Sequence, residues 1–135
     1  MAINHATVRS DTWDTVNAAL RTLTGKAVLA EFPEDHSKVK KSDYPIITQT
    51  PAEVSQDEKF FGKTNNPKEI NVFVGLYSNN PDEIDTLSDS IGNYFEVTGV
   101  SGVHLNAVND SSVDVMQINN QNVSFRIINI SFKMM

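Results

Sequence analysis

The sequence predicts an α+β fold: two helices packed on a mostly antiparallel or mixed β-sheet, with a C-terminal β-meander, in a single domain spanning residues 1–135. Three observations predict it. An alternating strand pattern runs straight into a well-marked helix start between Ile70 and Phe95, an amphipathic stretch lies near the N-terminus, and three alternating segments follow Gly102 at short spacing.

In chain order, the first element is a helix from about Asp11 to Leu23, opened by Ser10 or Asp11 as cap, with Trp13, Val16, Leu20 and Leu23 as its buried stripe. Gly25 ends it as the left-handed cap, and Ala27 to Phe32 reads as a short strand. From Pro33 to Asp43 the chain carries one apolar residue, Val39, too little to hold it against a core, so an exposed loop is expected. Tyr44 to Thr50 is the next strand. Pro45 cannot donate to a ladder, which puts it at the strand's start or on an edge, and Pro51 closes the element. The polar stretch Ala52 to Glu69 is either a loop or a protruding hairpin, with Phe60 and Phe61 at its middle.

Ile70, Val72, Val74 and Leu76 alternate with Asn71, Phe73, Gly75 and Tyr77, which gives a strand one firmly apolar face. Ser78-Asn79-Asn80-Pro81-Asp82-Glu83 then supplies a capping Asn, a Pro whose missing N–H costs nothing in a first turn, and two carboxylates at the positive end of the dipole. Ile84, Leu87, Ile91 and Phe95 place one apolar stripe on the helix that follows. After the break at Gly99 to Gly102, Val103 to Ala107, Val113 to Met116 and Val123 to Phe132 read as strands. The last changes phase at Ile127-Ile128, which calls either for a β-bulge or for a strand covered on both sides. The shared core is expected to hold Trp13, Val16, Leu20, Val72, Val74, Leu76, Ile84, Leu87, Ile91, Phe125 and Ile130.

Composition narrows the function. The net charge of −6 argues against a general nucleic-acid binder, which needs concentrated Lys and Arg to meet phosphates. No run approaches a membrane span, and nothing at the N-terminus reads as a secretory signal. Without cysteine the chain has neither disulfides nor thiolate metal ligands. Most of its 14 Asn residues fall in turn-like sequences such as Asn65-Asn66-Pro67 and Asn119-Asn120-Gln121-Asn122.

Catalytic signatures do not emerge either. His5, His36 and His104 share no metal-ligand spacing, and the chain has no Gly-x-Ser-x-Gly elbow, phosphate-binding Gly-rich loop or Cys nucleophile, so no enzyme, cofactor or metal is expected. Lys38, Lys40 and Lys41 form the one basic cluster. They either keep an exposed loop soluble or meet an acidic partner surface, including that of a second copy of this acidic chain.

The order of elements, with Tyr44-Pro45-Ile46-Ile47 closed by Pro51 and followed by Ala52-Glu53-Val54, and with the ending Phe125-Arg126-Ile127-Ile128-Asn129-Ile130-Ser131-Phe132-Lys133, resembles the tail terminator or tail-completion proteins of long-tailed bacteriophages and related viruses. The resemblance implies a virion structural protein of the tail or neck, made in the host cytoplasm, whose copies close a six-fold ring that caps the tail tube and joins it to the head connector. Its implied partners are itself, the tail tube protein and a connector or neck protein, with neither specific nucleic-acid binding nor a membrane. A head-tail connector, a minor tail protein, and a small-ligand or peptide-binding α+β module are the alternatives. For a ring, Phe60 and Phe61 are the expected apolar anchors, and Lys38, Lys40 and Lys41 the expected contacts to an acidic neighbour. The two polar segments, Pro33 to Asp43 and Ala52 to Glu69, are the parts expected to order when a neighbour arrives.

Overall fold

A computed structural model of the protein describes residues 2–56 and 68–134. Its frame is a pair of long antiparallel strands, β4 (Lys68–Ser78) and β7 (Gln121–Met134), matched without a break from Glu69↔Lys133 to Ser78↔Ser124. On the outer side of β4 lie β2 (Ile46–Gln49), beside its second half, and β3 (Glu53–Gln56), beside its first. On the outer side of β7 lie β5 (Val103–Asp110) and β6 (Asp114–Ile118), in the same one-after-the-other arrangement. A two-residue β1 (Val28–Leu29) adds a parallel pair outside β2. The sheet is therefore mixed and almost wholly antiparallel, as expected.

The C-terminal strands are antiparallel to β7, but the order differs from a simple meander. β5 and β6 do not pair with each other; each takes a different half of β7. The long flanking strand is broken on both sides of the sheet in the same way. Where β2 gives way to β3, Thr50 N–H donates to the Phe73 carbonyl at 2.9 Å and its hydroxyl accepts from Phe73 N–H at 3.1 Å. Where β5 gives way to β6, Ser111 N–H donates to the Ile127 carbonyl at 2.9 Å and its hydroxyl accepts from Ile127 N–H at 3.0 Å. Backbone donors inside a sheet must find acceptors, and a hydroxyl keeps these two satisfied while the chain changes direction.

The helices α1 (Val8–Thr24) and α2 (Pro81–Val97) cover one face of this sheet. α2 begins where the sequence places it: Asn80 Oδ1 accepts from Asp82 N–H at 3.1 Å, with Pro81 in the first turn. Ile84, Ile91 and Phe95 are buried, while Leu87 lies at the core's margin and Ser88 takes the position beside it. Ser88 is buried because its hydroxyl donates to the Ile84 carbonyl at 2.7 Å and accepts from Arg126 Nη1 at 3.0 Å. The same guanidinium meets Asp85 at 3.1 Å and donates from Nε to the Ser111 carbonyl at 3.0 Å, so one side chain ties α2, β7 and the β5–β6 break together.

α1 starts three residues earlier than its capping sequence predicts. Asp11 caps from inside the helix, accepting from Thr7 Oγ1 at 2.6 Å and from Asn4 N–H at 3.0 Å, so it gathers the preceding turn rather than opening the helix itself. The buried stripe is Val8, Thr12, Val16, Ala19 and Leu20. Trp13 is one position off that stripe and only half-buried, which removes it from the expected core. Gly25 ends α1 at φ 69°, in the left-handed region, and its N–H donates to the Arg21 carbonyl at 2.9 Å.

The opposite face of the sheet carries a second core. Val39, Tyr44, Ile46, Ile118 and Val123 are buried there, with Phe32, Tyr77 and Met116 packed against them. Of the two alternatives for the last strand, the structure shows the one covered on both sides, and one expected core residue changes place. The phase change in β7 involves no bulge against β4: Val123 and Phe125 face the second core, while Ile128, Ile130, Phe132 and Met134 face the helices. A shift of register lies instead on β5, between Leu105 and Ala107. Phe125 leaves the predicted shared core and stacks on its cross-strand partner Tyr77, with ring centroids 5.8 Å apart.

Nor is the stretch from Pro33 to Asp43 free of the body. Val39 is 4% exposed, and its carbonyl accepts from Asn119 Nδ2 at 3.0 Å. Asn119 sits in a two-residue hairpin turn with Asn120, at φ 51° and 59°, the left-handed conformation that Asn tolerates and that the Asn-rich turn predicts. β1 is shorter than the expected Ala27 to Phe32 because the chain leaves the sheet so that Phe32 can pack on Tyr77, 4.7 Å between centroids. Pro45 does precede a strand, but β2 is an inner strand between β1 and β4, and so among the described residues the free edges fall to β1, β3, β5 and β6. Within the stretch from Ala52 to Glu69, Glu53–Gln56 is paired as β3 and Lys68 begins β4; residues 57–67 lie outside the described residues.

Three outcomes check this architecture. Ile91→Ala, which empties a fully buried site, should cost about 3 to 5 kcal/mol in urea unfolding, and Leu87→Ala at the margin no more than about half as much. Val39→Ala should raise hydrogen exchange at the Val39 and Asp43 amides by about tenfold or more, the factor that corresponds to about 1.4 kcal/mol of local stability, with β4 amides less affected. The hydrogen bonds from the Thr7 hydroxyl, and then from Asn4 N–H, hold the Asp11 carboxyl below its ordinary value of 3.8 against a smaller desolvation effect. A depressed folded-state pKa stabilises the fold above the unfolded value and loses that effect as pH falls through the folded one, so Asp11→Ala should remove part of the acid-side slope in stability below about pH 4.

Candidate interaction surface

The basic cluster sits on a short element held rigidly by its own acids. Two single-turn 3₁₀ helices, His36–Lys38 and Lys41–Asp43, flank the buried Val39. Asp35 accepts from Ser37 N–H at 3.1 Å, and Asp43 accepts from Lys40 N–H at 2.8 Å. Both carboxylates are thereby turned onto backbone groups, and Lys38, Lys40 and Lys41 stand exposed around them. The contact of Lys38 with Asp35, at 3.8 Å between two well-exposed side chains, is worth little in water. Tyr44 fixes the end of the segment. Burial, and secondly the neighbouring Asp43 charge, raises its phenol above the ordinary value of 10.0, so it remains neutral.

The structure thus brings Lys38, Lys40 and Lys41 together on one anchored turn. Phe60 and Phe61, the expected apolar anchors, lie outside the described residues. The three histidines are placed apart, His5 ahead of α1, His36 on the basic turn and His104 on β5, and among the described residues no three potential ligands come together that could hold a metal ion.

Two grooves escaped the sequence reading. One, of about 460 Å³, runs between α1 and the C-terminal end of α2, lined by Thr15, Ala19, Thr22, Tyr94 and Val100 among others. It lies along the helices rather than between helices and sheet. The other, of about 230 Å³, lies where α2 crosses β5, with Asp89, Gly92, Glu96, Val108 and Asp110 on its walls. A signal for the second was present in the chain: residues 82–114 contain seven carboxylates and no Lys or Arg. Only the crossing of α2 over β5 turns that run into a surface, because Asp89 and Asp110 are far apart in sequence.

No family model and no curated protein matches the chain. Among solved structures, it is similar to a chain of the virion of a native gene transfer agent particle, at 12% identity and a TM-score of 0.47 over 95% of this chain and 91% of that one.

Proposed function

We propose that this chain is a virion structural protein of the tail or neck, a tail terminator that acts by assembly rather than by chemistry. The observation that carries the reading is the anchored basic turn: three exposed lysines on a segment locked to the sheet by Val39, Tyr44 and Asn119, a rigid feature suited to registering one subunit on another. The order of elements supports it, since the N-terminal helix, the inner strand β2 (Ile46–Gln49), the β4–α2 unit and the long final strand follow the pattern on which the resemblance rests. In this reading copies close a ring through a heterologous interface, cap the tail tube and present the ring's other side to the head connector. A small-ligand or peptide-binding module is the second reading, favoured by the groove between α1 and α2.

Electron microscopy of the purified chain, alone and mixed with tail tubes, separates the two. Rings at one end of each tube, and tubes that stop at a regulated length and join heads only when the chain is present, are the expected result. Tubes that reach the same length and join heads without it would remove the terminator reading, and ligand screening at the α1–α2 groove would follow.

A further inference from the structure

We propose that the free edge formed by β5 and β6, together with the acidic groove above β5, docks the Lys38–Lys41 turn of a second copy of this chain. The edge is unpaired among the described residues on the side away from β7, and such an edge needs a cover or a deterrent. Its surroundings have the mixture of an interface. Gly92 and Val108 form an uncharged floor between Asp89, Glu96 and Asp110, and Val115 on β6, further along the same edge, is 65% exposed.

Charge complementarity selects the occupant. The acidic wall belongs to a 33-residue stretch, 82–114, with no Lys or Arg of its own; Arg126 does reach it, but is engaged by Asp85. Lysines 40 and 41 stand opposite no carboxylate in any ion pair among the described residues, and their neighbour Asp43 is occupied by the Lys40 N–H. The groove and the lysine turn lie on opposite faces of the sheet: α2 packs in the helical core, whereas Val39 and Tyr44 fix the turn to the core on the other face, and its contact towards α2, from Asn79 Nδ2 to the Lys41 carbonyl at 3.5 Å, falls ahead of the helix rather than at Asp89, Glu96 or Asp110. A contact between them joins one face of one copy to the other face of the next, which is head-to-tail and repeats. Attraction across this contact also opposes the long-range repulsion expected of copies that each carry −6.

The contact supplies the self-association in the function proposed above with its surfaces, and its test needs only purified chain, so it can fail while the virion reading stands. Two variants reverse the two surfaces: Lys38→Glu with Lys40→Glu and Lys41→Glu, and Asp89→Lys with Glu96→Lys and Asp110→Lys. At fixed ionic strength of about 0.1 M, sedimentation velocity should show reversible association of the native chain and at least a tenfold weaker association of each variant alone. An equimolar mixture of the two should associate again, because every reversed surface then faces a reversed partner. The single substitutions Lys41→Glu and Glu96→Lys, which perturb folding least, should show the same pattern at smaller amplitude. A native chain that stays monomeric, a variant that associates like the native chain, or a mixture of folded variants that remains monomeric would each overturn the proposal.

Discussion

The uninterrupted ladder between β4 and β7 is the constraint on which the rest of the structure depends. It pairs Glu69 through Ser78 with Lys133 through Ser124, so the two strands define one surface with two faces. Each short flanking strand is long enough to cover only half of it. The chain meets this by laying two strands end to end on each side and letting Thr50 and Ser111 hydroxyls serve the backbone donors at the joints. Without the Thr50 hydroxyl, Phe73 would present an unsatisfied N–H in a partly buried part of the sheet, which costs about 1 to 3 kcal/mol, whereas the Ile127 donor is exposed and open to water.

Because the ladder keeps strict alternation, every paired residue on β4 and β7 is assigned to one face of the sheet or the other. Ile70, Val72, Val74 and Leu76 all take the helical side, which β7 completes with Ile128, Ile130 and Phe132. At the other end Tyr77, Phe125 and Val123 turn to the second core, where the chain from Phe32 to Ile46 closes over them. Gly75 is required at the transition. A Cβ there would collide with the Thr48 hydroxyl and the Tyr77 ring, which lie across the strand at that point. The second core thus converts a lysine-rich segment from a solvated loop into a fixed projection, and it does so through Val39 and Tyr44 rather than through the lysines.

The same division governs the surface. Arg126 is engaged by Asp85, and Asp35 and Asp43 accept from backbone groups of the basic turn, which leaves Lys38, Lys40 and Lys41 outward on one face and Asp89, Glu96 and Asp110 around the groove on the other, among further exposed charges such as Glu31 and Glu34 before the turn and Arg9 and Arg21 on α1. A pattern of this kind has little to do with the stability of one molecule, since exposed charges contribute weakly, but it constrains the orientation in which two molecules approach.

By itself the sequence determined what is local. The β4–α2 unit is legible because strand alternation, the Asn80 cap, Pro81 and the helical stripe all act within a few residues of one another, and the Asn119-Asn120 turn is legible for the same reason. The cluster at Lys38, Lys40 and Lys41 could likewise be picked out from composition, though not its rigidity. The tertiary structure decided what depends on distant partners. Val39 and Tyr44 fix a polar segment because they enter a core that no window of sequence contains, where Asn119, 80 residues from Val39, donates to the Val39 carbonyl. Trp13 and Phe125 lost their places in the shared core because docking of α1 on the sheet turns Thr12 rather than Trp13 inward, and because the parity of β7 against β4 sends Phe125 to the opposite face. The acidic groove became a site only when α2 crossed β5. Periodicity states that a residue has an apolar side, but which of two cores that side meets is a property of pairing, and pairing is a long-range interaction.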